Sequence, residues 1–478
     1  MGGLLRKSKP DGIKLVASLA AVLAVVAVLP AAAAGPPPPR LIRIAADSTL
    51  TEGGAQHATI VEPDAFAVGS RVVSTFQVGR YFGGSAGGIG FATSTNAGQT
   101  WRSGLIPGIT QATAPPGPSE AASDPTVAYD AVHGRWLIAT LVNSDEESGI
   151  FVNGSADGLS WEGPHIAISY PPETRGEGTA VDKEWLTCDN RAQSRFRGRC
   201  YLAYTDLAHD SAGQEGGNIA VQSSVDGGVT WSQPVLLPVD ADTVSPGVQP
   251  VVRPNGELVI VFFEDGNVRA VRSTDGGVTF APRERIAALT FHRRPVTRTR
   301  LRGFSLPTAT VDAAGTVYAA WPDCRFRASC RADDIVWSRS TGPGRWTRPR
   351  RVPLGPLGTR EFTIPDLTVD PASRGARARL ALSYYTLNNA DCTETNCLLD
   401  VYLVTSRTAG ARWARPRRLN PQRMRLTWIA QTNSGRMVGD YTGTVFSGKR
   451  VVAVHAQGRA PQGGTLNEPL FAYVLTLP

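Results

Sequence analysis

The sequence predicts an all-β fold made of repeated four-stranded antiparallel units. The octapeptide SVDGGVTW at residues 224–231 recurs as STDGGVTF at residues 273–280. Degenerate copies of the octapeptide lie at residues 94–101, 155–161, 342–346 and 406–413. Successive copies are roughly 50 to 70 residues apart, a period typical of radial or linear repeat proteins.

Each copy has the side-chain chemistry of a tight turn between two strands. In the copy at residues 224–231, the Asp226 carboxylate can accept hydrogen bonds from backbone N–H groups, and a glycine of the pair Gly227-Gly228 can adopt a positive φ. Thr230 and Trp231 then begin the next strand, and the indole is expected to pack against a neighbouring sheet. The octapeptide therefore predicts a hairpin turn at one end of every unit.

Three predicted strands precede each turn and one follows it. Apolar alternation and turn residues place the strands of the third unit at residues 185–188, 200–205, 218–223 and 231–237. The fourth unit repeats this order at residues 248–253, 258–263, 268–272 and 280–286. The first, second, fifth and sixth units begin near Pro63, Pro125, Leu306 and Pro365.

A remainder of about 40 residues after the last copy holds only three predicted strands. They lie at residues 441–446, 451–455 and 470–475. The missing fourth strand has a candidate at the other end of the chain, because PRLIRI at residues 39–44 resembles the segments at 349–352 and 416–419 that follow two of the turns. We therefore expect seven units closed by residues 41–44, with six units as the alternative.

The segment before residue 35 has the pattern of a signal peptide. Basic residues between Arg6 and Lys14 precede an apolar run at residues 15–29 and the small residues Ala32, Ala33 and Ala34. The run of about 15 residues is short for a membrane span of about 20, although an uncleaved anchor is the alternative. We expect residues 1–34 to be removed, residues 35–40 to form a proline-rich tether and residues 41–478 to form one secreted, extracellular or periplasmic domain.

Six cysteines fall into three close pairs along the chain: Cys188 with Cys200, Cys324 with Cys330, and Cys392 with Cys397. Each pair brackets one loop, so local disulfides are expected, as in exported proteins. Zinc binding is the competing interpretation, but no CxxC pair or histidine cluster accompanies these cysteines. We expect no metal and no cofactor.

The formal net charge of +8 is carried mainly by arginine. A general preference for arginine codons is one explanation. Another is recognition of carboxylate or sulfate groups on acidic glycans, for which the guanidinium is well shaped. Nucleic acid is not the expected partner, because the arginine clusters lie on predicted outer strands, where charge commonly blocks edge-to-edge pairing.

The octapeptide resembles the Asp box of the sialidase superfamily of β-propellers. This resemblance implies four-stranded blades, with the boxes on the face opposite the active site. Known sialidases have six blades, so seven units would depart from the family. The resemblance implies that the mouth opposite the boxes receives Glu62, Asp64, Asp124, Asp182, Lys183, Glu184, Asp366 and Asp440 from the starts of first strands. Asp or Glu at such positions can also simply cap exposed backbone N–H groups.

The resemblance also implies roles for individual residues. Tyr441, in the segment Gly439-Asp440-Tyr441, is the expected nucleophile, with Glu264 as its partner and Asp124, or alternatively Asp64, as the acid. The arginines expected to hold a substrate carboxylate are Arg80, Arg325 and Arg436, and the acids expected to line the substrate site are Asp64, Asp182, Asp366 and Asp440.

One departure from the family bears on activity. The family has an Arg-Ile-Pro segment in the first blade where this chain reads EPDAF at residues 62–66. Without that arginine the carboxylate clamp of the family is incomplete. The resemblance nevertheless implies a secreted, monomeric, sialidase-like propeller that acts on or binds glycans, with exo-glycosidase release of sialic acid as the specific activity. The alternative is a non-catalytic propeller that binds a glycan or a protein.

Overall fold

The computed structural model describes residues 1–3, 38–47, 54–144, 147–170, 181–207, 218–237, 247–292, 300–303, 306–356 and 358–477. Two compact units, Met1–Pro36 and Pro37–Pro478, make up the chain, and every element below belongs to the second. The predicted signal peptide lies outside the described residues beyond residue 3, and the predicted tether is described only from residue 38.

The described part of the second unit is all-β, as predicted. Besides strands it contains three single-turn 3-10 helices, at Ala328–Cys330, Gly375–Arg377 and Leu426–Trp428. Among the described residues, no helix has the length and apolar character needed to cross a membrane.

Strand β1 (Arg40–Ala45) comes first, and two antiparallel meanders follow it. The first meander comprises β2 (Ala55–Val68), β3 (Arg71–Tyr81), β4 (Ala86–Ser94) and β5 (Arg102–Leu105). The second comprises β6 (Ala121–Asp130), β7 (Arg135–Asn143), β8 (Ser148–Ser155) and β9 (His165–Tyr170). A single pair, Ala86 with Ala122, joins the two meanders into one sheet.

Four further meanders follow, each centred on its own sheet. The third is β10 (Val181–Cys188), β11 (Cys200–Asp206), β12 (Asn218–Ser224) and β13 (Val235–Leu237). The fourth is β14 (Gln249–Val252), β15 (Leu258–Glu264), β16 (Asn267–Ser273) and β17 (Glu284–Ala288). The fifth is β18 (Thr308–Val311), β19 (Val317–Asp323), β20 (Asp334–Ser340) and β21 (Arg350–Arg351). The sixth is β22 (Glu361–Val369), β23 (Leu380–Leu387), β24 (Leu398–Ser406) and β25 (Arg417–Arg418), and β26 (Met424–Arg425) also pairs with β24.

The seventh meander joins the two ends of the chain. After the hairpin of β27 (Ala430–Thr432) and β28 (Gly435–Met437), the chain forms β29 (Gly443–Ser447) and β30 (Arg450–Ala456). A second hairpin, β31 (Arg459–Gln462) and β32 (Thr465–Asn467), leads to β33 (Leu470–Thr476). Strand β1 pairs antiparallel with β33, with Leu41 opposite Tyr473. The expected pairing of residues 41–44 with the last unit is therefore present.

The first strands of the meanders contact one another in a ring. Contacts run from β2 to β6, β10, β14, β18, β22 and β29, and β29 contacts β2 again. Apolar clusters fill the spaces between successive meanders; Leu137 of the second and Leu202 of the third, for example, share one cluster with Trp231. Burial of these side chains between sheets is the main force that holds neighbouring meanders together.

The repeated octapeptide forms the predicted turn between third and fourth strands. Asp226 Oδ1 accepts hydrogen bonds from the backbone N–H groups of Val229 (3.1 Å) and Thr230 (3.0 Å). Gly228 has a φ of 82° and donates its N–H to Ser224 Oγ (2.9 Å). The prediction was wrong about where the fourth strand begins, because Trp231 is held in the turn by a bond from its Nε1 to the Gly228 carbonyl (3.2 Å). Strand β13 starts only at Val235, after Pro234.

Strand direction assigns each loop to one of two ends. Neighbouring strands of a meander run antiparallel, so the turns after first and third strands share one end, which we call the turn end. The starts of first strands and the ends of second strands lie at the opposite end, which we call the mouth end. The three predicted disulfides are confirmed: Cys188–Cys200, Cys324–Cys330 and Cys392–Cys397.

Candidate functional site

Left-handed residues interrupt four first strands at the mouth end. Glu62, Asp124, Lys183 and Ile364 have φ values of 52°, 48°, 49° and 50°. Each lies at a register shift of its strand, as in a β-bulge. A positive φ strains any residue with a β-carbon, and strain of this kind concentrates at functional sites. The repeated bulge places three charged residues at the mouth end.

Four acidic residues and two arginines at the mouth end act electrostatically on one another. We call them the mouth cluster: Glu62, Asp124, Asp182, Asp440, Arg80 and Arg302. Burial raises the pKa of Glu62 well above its usual range, and repulsion from Asp124 and Asp440 raises it further. Burial likewise raises the pKa of Asp182 to about 7, with the same two carboxylates contributing. Asp182 nevertheless keeps an exposed surface. The cluster therefore contains a carboxyl that solvent can reach and whose pKa is raised by burial and by neighbouring charges.

Arg302 is the member of the cluster that sequence reasoning missed. Its guanidinium binds Asp440 in a fork, with Nε donating to Oδ1 (3.0 Å) and Nη2 to Oδ2 (2.5 Å). Its backbone is fixed beside β28, because Arg302 N donates to the Arg436 carbonyl and Arg436 N donates to the Arg300 carbonyl, each at 2.7 Å. Residues 300–302 are not part of any meander, so the strand pattern contained no signal for this position.

Arg80, one of the predicted arginines, lies deep in the cluster beside Glu62. Its Nη1 donates to Gln77 Oε1 (3.0 Å) and to the Ser85 carbonyl (2.8 Å). Gln77 in turn donates through Nε2 to Glu62 Oε2, and Asp440 N donates to Glu62 Oε1 (3.1 Å). Burial lowers the pKa of Arg80, whereas the charge of Glu62 raises it. These bonds fix the positions of Glu62 and Arg80 before any ligand arrives.

Lys183 and Glu184 lie beneath the cluster without hydrogen-bond partners for their charged atoms among the described residues. The Lys183 side chain is 5% exposed, and its Nζ lies 4.3 Å from the ring centre of Trp185 and 4.1 Å from that of Tyr441. Such cation–π contacts stabilise a desolvated ammonium group. Burial, followed by repulsion from Asp124, raises the pKa of Glu184 well above its usual range.

Tyr441, the predicted nucleophile, borders the cluster but is 6% exposed. Its hydroxyl donates to the Pro125 carbonyl (3.1 Å), and its ring lies edge-on to Trp185 with 5.2 Å between centroids. Burial raises the pKa of Tyr441 well above its usual range, and the charges of Glu62, Asp124 and Glu184 add to the rise. The phenol is thus neutral in this arrangement, and Glu62 is the carboxylate that perturbs it most.

Three other predicted residues are engaged within their own parts of the fold. Arg325 forks onto Asp323, with Nε–Oδ1 at 2.8 Å and Nη2–Oδ2 at 2.5 Å. Arg436 pairs with Glu394 and donates Nη1 to the Ile429 carbonyl (3.0 Å). Glu264, proposed to assist Tyr441, is fully buried between Arg269 (2.9 Å) and Arg283 (3.2 Å) in the fourth meander. Of the three predicted arginines, Arg80 is the one whose charge acts on the mouth cluster.

Asp64 and Asp366 belong to a channel that runs between the first strands. Residues of all seven first strands line this cavity, whose volume is about 460 Å³. Asp64 Oδ2 accepts the Val127 N–H (2.8 Å), and burial raises the Asp64 pKa to about 7. Asp366 accepts a bond from the Thr308 hydroxyl (3.3 Å), and burial together with Asp64 raises its pKa to about 8. The lining continues from these two acids toward the turn end, to Gly69, Asn190 and Pro371, and it includes no member of the mouth cluster.

The mouth end presents charged side chains that solvent can reach. Asp124 and Arg302 are partly exposed and Asp182 is exposed, whereas the Asp440 side chain, paired with Arg302, is only 7% exposed. Among the described residues, no group of three or more His, Cys, Asp or Glu side chains is arranged to hold a metal ion. Sugar hydroxyls are the kind of group that such paired donors and acceptors recognise.

Comparison with known proteins finds similarity only at the level of solved structures, since no family model and no curated protein matches the chain. A polysaccharide lyase, described as an ulvan lyase, is 14% identical over 91% of this chain and 96% of its own, with a TM-score of 0.49. A Hadza microbial sialidase is 16% identical over 81% and 76%, with a TM-score of 0.47. An α-L-arabinanase from Penicillium chrysogenum is 12% identical over 92% and 99%, with a TM-score of 0.46. The chain is similar to these proteins in structure, and identities this low assign it no activity.

Proposed function

We propose that residues 41–478 form a secreted seven-bladed β-propeller of the sialidase-like type. The ring of contacts among the first strands and the pairing of β1 with β33 support closure of the seventh blade. The turns at residues 224–231 and 273–280 have the hydrogen bonding expected of an Asp box. Three disulfides fit an oxidising compartment.

The function that the site supports best is glycan binding at the mouth cluster. The observation that carries this proposal is the convergence of Asp124, Asp182, Asp440 and Arg302 at the mouth end. Strained left-handed bulges at Glu62, Asp124 and Lys183 hold this end in place. Carboxylates and guanidinium groups with their geometry already fixed can bind sugar hydroxyls without a large loss of side-chain entropy.

Glycoside hydrolysis is the reaction we propose for this site. Asp182 is a suitable general acid because its pKa of about 7 keeps a proton available at neutral pH. Asp124 remains the acid suggested by the sialidase resemblance, and Tyr441 the nucleophile. Tyr441 would need to lose its proton to a carboxylate, for which Glu62 is better placed than Glu264.

A non-catalytic glycan-binding propeller is the second candidate. The bond from the Tyr441 hydroxyl to the Pro125 carbonyl favours it, because the oxygen expected to attack is turned toward the protein backbone. Arg302 is also bound by Asp440, which reduces its availability for a sialic acid carboxylate.

A glycan array and a panel of aryl glycosides, including sialosides, test both candidates on the exported chain. Turnover of one glycoside by the wild type, together with glycan binding that is lost in Asp182→Asn, would support the hydrolase. Binding lost in Asp182→Asn without turnover would support the binding protein. Wild-type protein that neither binds nor cleaves any member would contradict a glycan function. Asp265→Asn, an exposed change at the mouth end, is the matched control.

A further inference from the structure

A strongly basic surface lies on the fifth and sixth meanders, away from the mouth cluster. Residues 341–360 contain five arginines, residues 401–426 contain seven, and neither segment contains an Asp or Glu. These segments include the turns and the outer strands β21 and β25. By contrast, the outer strand of the fourth meander carries Glu284 between Arg283 and Arg285, and Glu284 pairs with Arg272 (2.7 Å).

Most of these arginines are not neutralised by the protein. Arg351 pairs with Asp334 (2.9 Å), and Asp400 lies 3.2 Å from Arg423 and 3.7 Å from Arg418. The remaining arginines of the two segments include a group that is exposed and has no ion-pair partner within the described part of the chain: Arg345, Arg348, Arg350, Arg407, Arg412, Arg415, Arg417 and Arg425. Their positive charge therefore faces solvent.

A groove between the two meanders gives this surface a defined site. It has a volume of about 340 Å³ and lies at the turn end, where β20 and β21 of the fifth meander face the turn of the sixth. Arg339 and Arg350 line one wall, and Thr316, Thr341 and Thr408 add hydroxyl groups. The described lining includes no carboxylate. Gly410, between the lining residues Ala409 and Ala411, packs closely on Trp337, since a Cβ at residue 410 would lie 2.5 Å from that indole.

We propose that this groove binds the anionic groups of an acidic, sulfated polysaccharide. Guanidinium groups match the geometry of sulfate and carboxylate oxygens, and threonine hydroxyls can complete the hydrogen bonding. The exposed arginines on β21 and β25 extend the same charge along neighbouring outer strands, which suits a repeating polyanion better than a single small anion.

Nucleic acid fits the surface less well. Proteins that bind single strands stack bases on exposed aromatic rings. The described groove lining contains no aromatic residue, and the indoles of Trp337 and Trp413 pack edge-on against each other with 6.3 Å between centroids. Trp337 is 3% exposed, so it cannot receive a base.

The test is binding of the exported chain to heparin, a sulfated polysaccharide, measured at several NaCl concentrations. We expect Arg339→Gln/Arg350→Gln to weaken binding at least about tenfold and to reduce the slope of log affinity against log salt by about one unit per lost contact. Arg102→Gln/Arg285→Gln removes the same charge from exposed sites on outer strands of other meanders and should change affinity less than about twofold.

Four results would overturn the proposal. The first is absence of heparin binding, and the second is an equal loss of affinity in both double variants, which would indicate a response to net charge alone. The third is tighter binding of single-stranded DNA than of heparin with the same number of charges, which would assign the surface to nucleic acid. Inorganic sulfate should compete only at far higher concentration than heparin; equal potency, the fourth result, would point to a site for the free ion.

If Arg339→Gln/Arg350→Gln lowers the melting temperature, the double variant Arg348→Gln/Arg350→Gln, which alters exposed side chains only, replaces it in the binding measurement.

Discussion

The guanidinium of Arg302 holds both carboxylate oxygens of Asp440, the residue that precedes Tyr441. Arg302 comes from a segment outside the meanders, and Asp440 lies just before the first strand of the seventh. The pair thus connects residues that are 138 positions apart in the chain. Arg302 also compensates the repulsion among Glu62, Asp124 and Asp440, whose charges all act on its guanidinium.

We expect Arg302→Ala to destabilise the protein by about 2 kcal/mol, because Asp440 would lose its partner in a half-enclosed acidic site. Arg302→Lys should recover part of the loss, since a lysine restores charge but not the fork. Urea unfolding measures both effects. An unchanged unfolding free energy in Arg302→Ala would show that water replaces the guanidinium without penalty.

Asp366→Asn should change how stability depends on pH. Burial raises the Asp366 pKa to about 8, whereas an unfolded chain has an aspartate pKa near about 3.9. Between these values the folded state holds a proton that the unfolded state has released, so stability falls as pH rises, by at most about 1.4 kcal/mol per pH unit. Asparagine resembles the protonated acid and removes this contribution.

The melting temperature of the wild type should therefore drop more between about pH 5 and about pH 8 than that of Asp366→Asn, because both pH values lie within the range from about 4 to about 8. Asp391→Asn, at a side chain that is 73% exposed, is the control and should follow the wild type. Parallel curves for wild type and Asp366→Asn would mean that Asp366 is ionised in the folded protein.

Tyr441→Phe separates a catalytic role from a structural one. If Tyr441 is the nucleophile, turnover of an aryl sialoside should fall at least about a hundredfold, because no other group supplies that oxygen. Loss of the bond to the Pro125 carbonyl should lower stability by only about 1 kcal/mol. Rate measurements on the folded variant distinguish the two roles, and full activity in Tyr441→Phe would exclude this residue as nucleophile.

Asp226 should make its turn sensitive to acid. Partial burial by itself raises the pKa of Asp226, but hydrogen bonds from Thr230, Ser224 and Val229 lower it to about 2. The stability it provides is present above a pH of about 3.9 and is lost as pH falls toward about 2. Asp226→Ala should lower the unfolding free energy at pH 7 by about 1 kcal/mol.

Asp226→Asn is the informative comparison, because Asn96 occupies the same position in another copy. There Asn96 Oδ1 accepts the Gln99 N–H (3.1 Å) and the Thr100 N–H (2.9 Å). We expect Asp226→Asn to have a higher unfolding free energy than Asp226→Ala at pH 7. On acidification, Asp226→Asn should lose less of its unfolding free energy than the wild type loses. Equal melting temperatures for the two variants at pH 7 would argue that the side-chain bonds contribute nothing.

Ile44→Ala tests the closing strand. Ile44 is 4% exposed and packs in the cluster between the seventh and first meanders, so removing its side-chain methyl groups should destabilise the protein by about 3 kcal/mol. Arg43→Ala, at an exposed position of the same strand, should have little effect. Unfolding curves give the comparison, and similar behaviour of the two variants would mean that β1 contributes little to closure.

Local chemistry sets the features that could be predicted from the sequence. Asp226, Gly228 and Trp231 specify their turn within eight residues, and each cysteine pair closes a single short loop. The closing strand at residues 41–44 was also predictable, because an unpaired strand edge at residues 470–475 needs a partner and few segments were left to supply one.

Tertiary structure decided which charged residues meet. Glu264 lies near the mouth end by strand position, yet Arg269 and Arg283 of its own meander neutralise it. Arg302 reaches Asp440 from a segment with no strand pattern. Electrostatic interactions depend on distance and burial rather than on spacing along the chain. Local pattern therefore fixes the turns and strands, whereas the pairing of charges at the mouth follows only once the seven meanders are packed together.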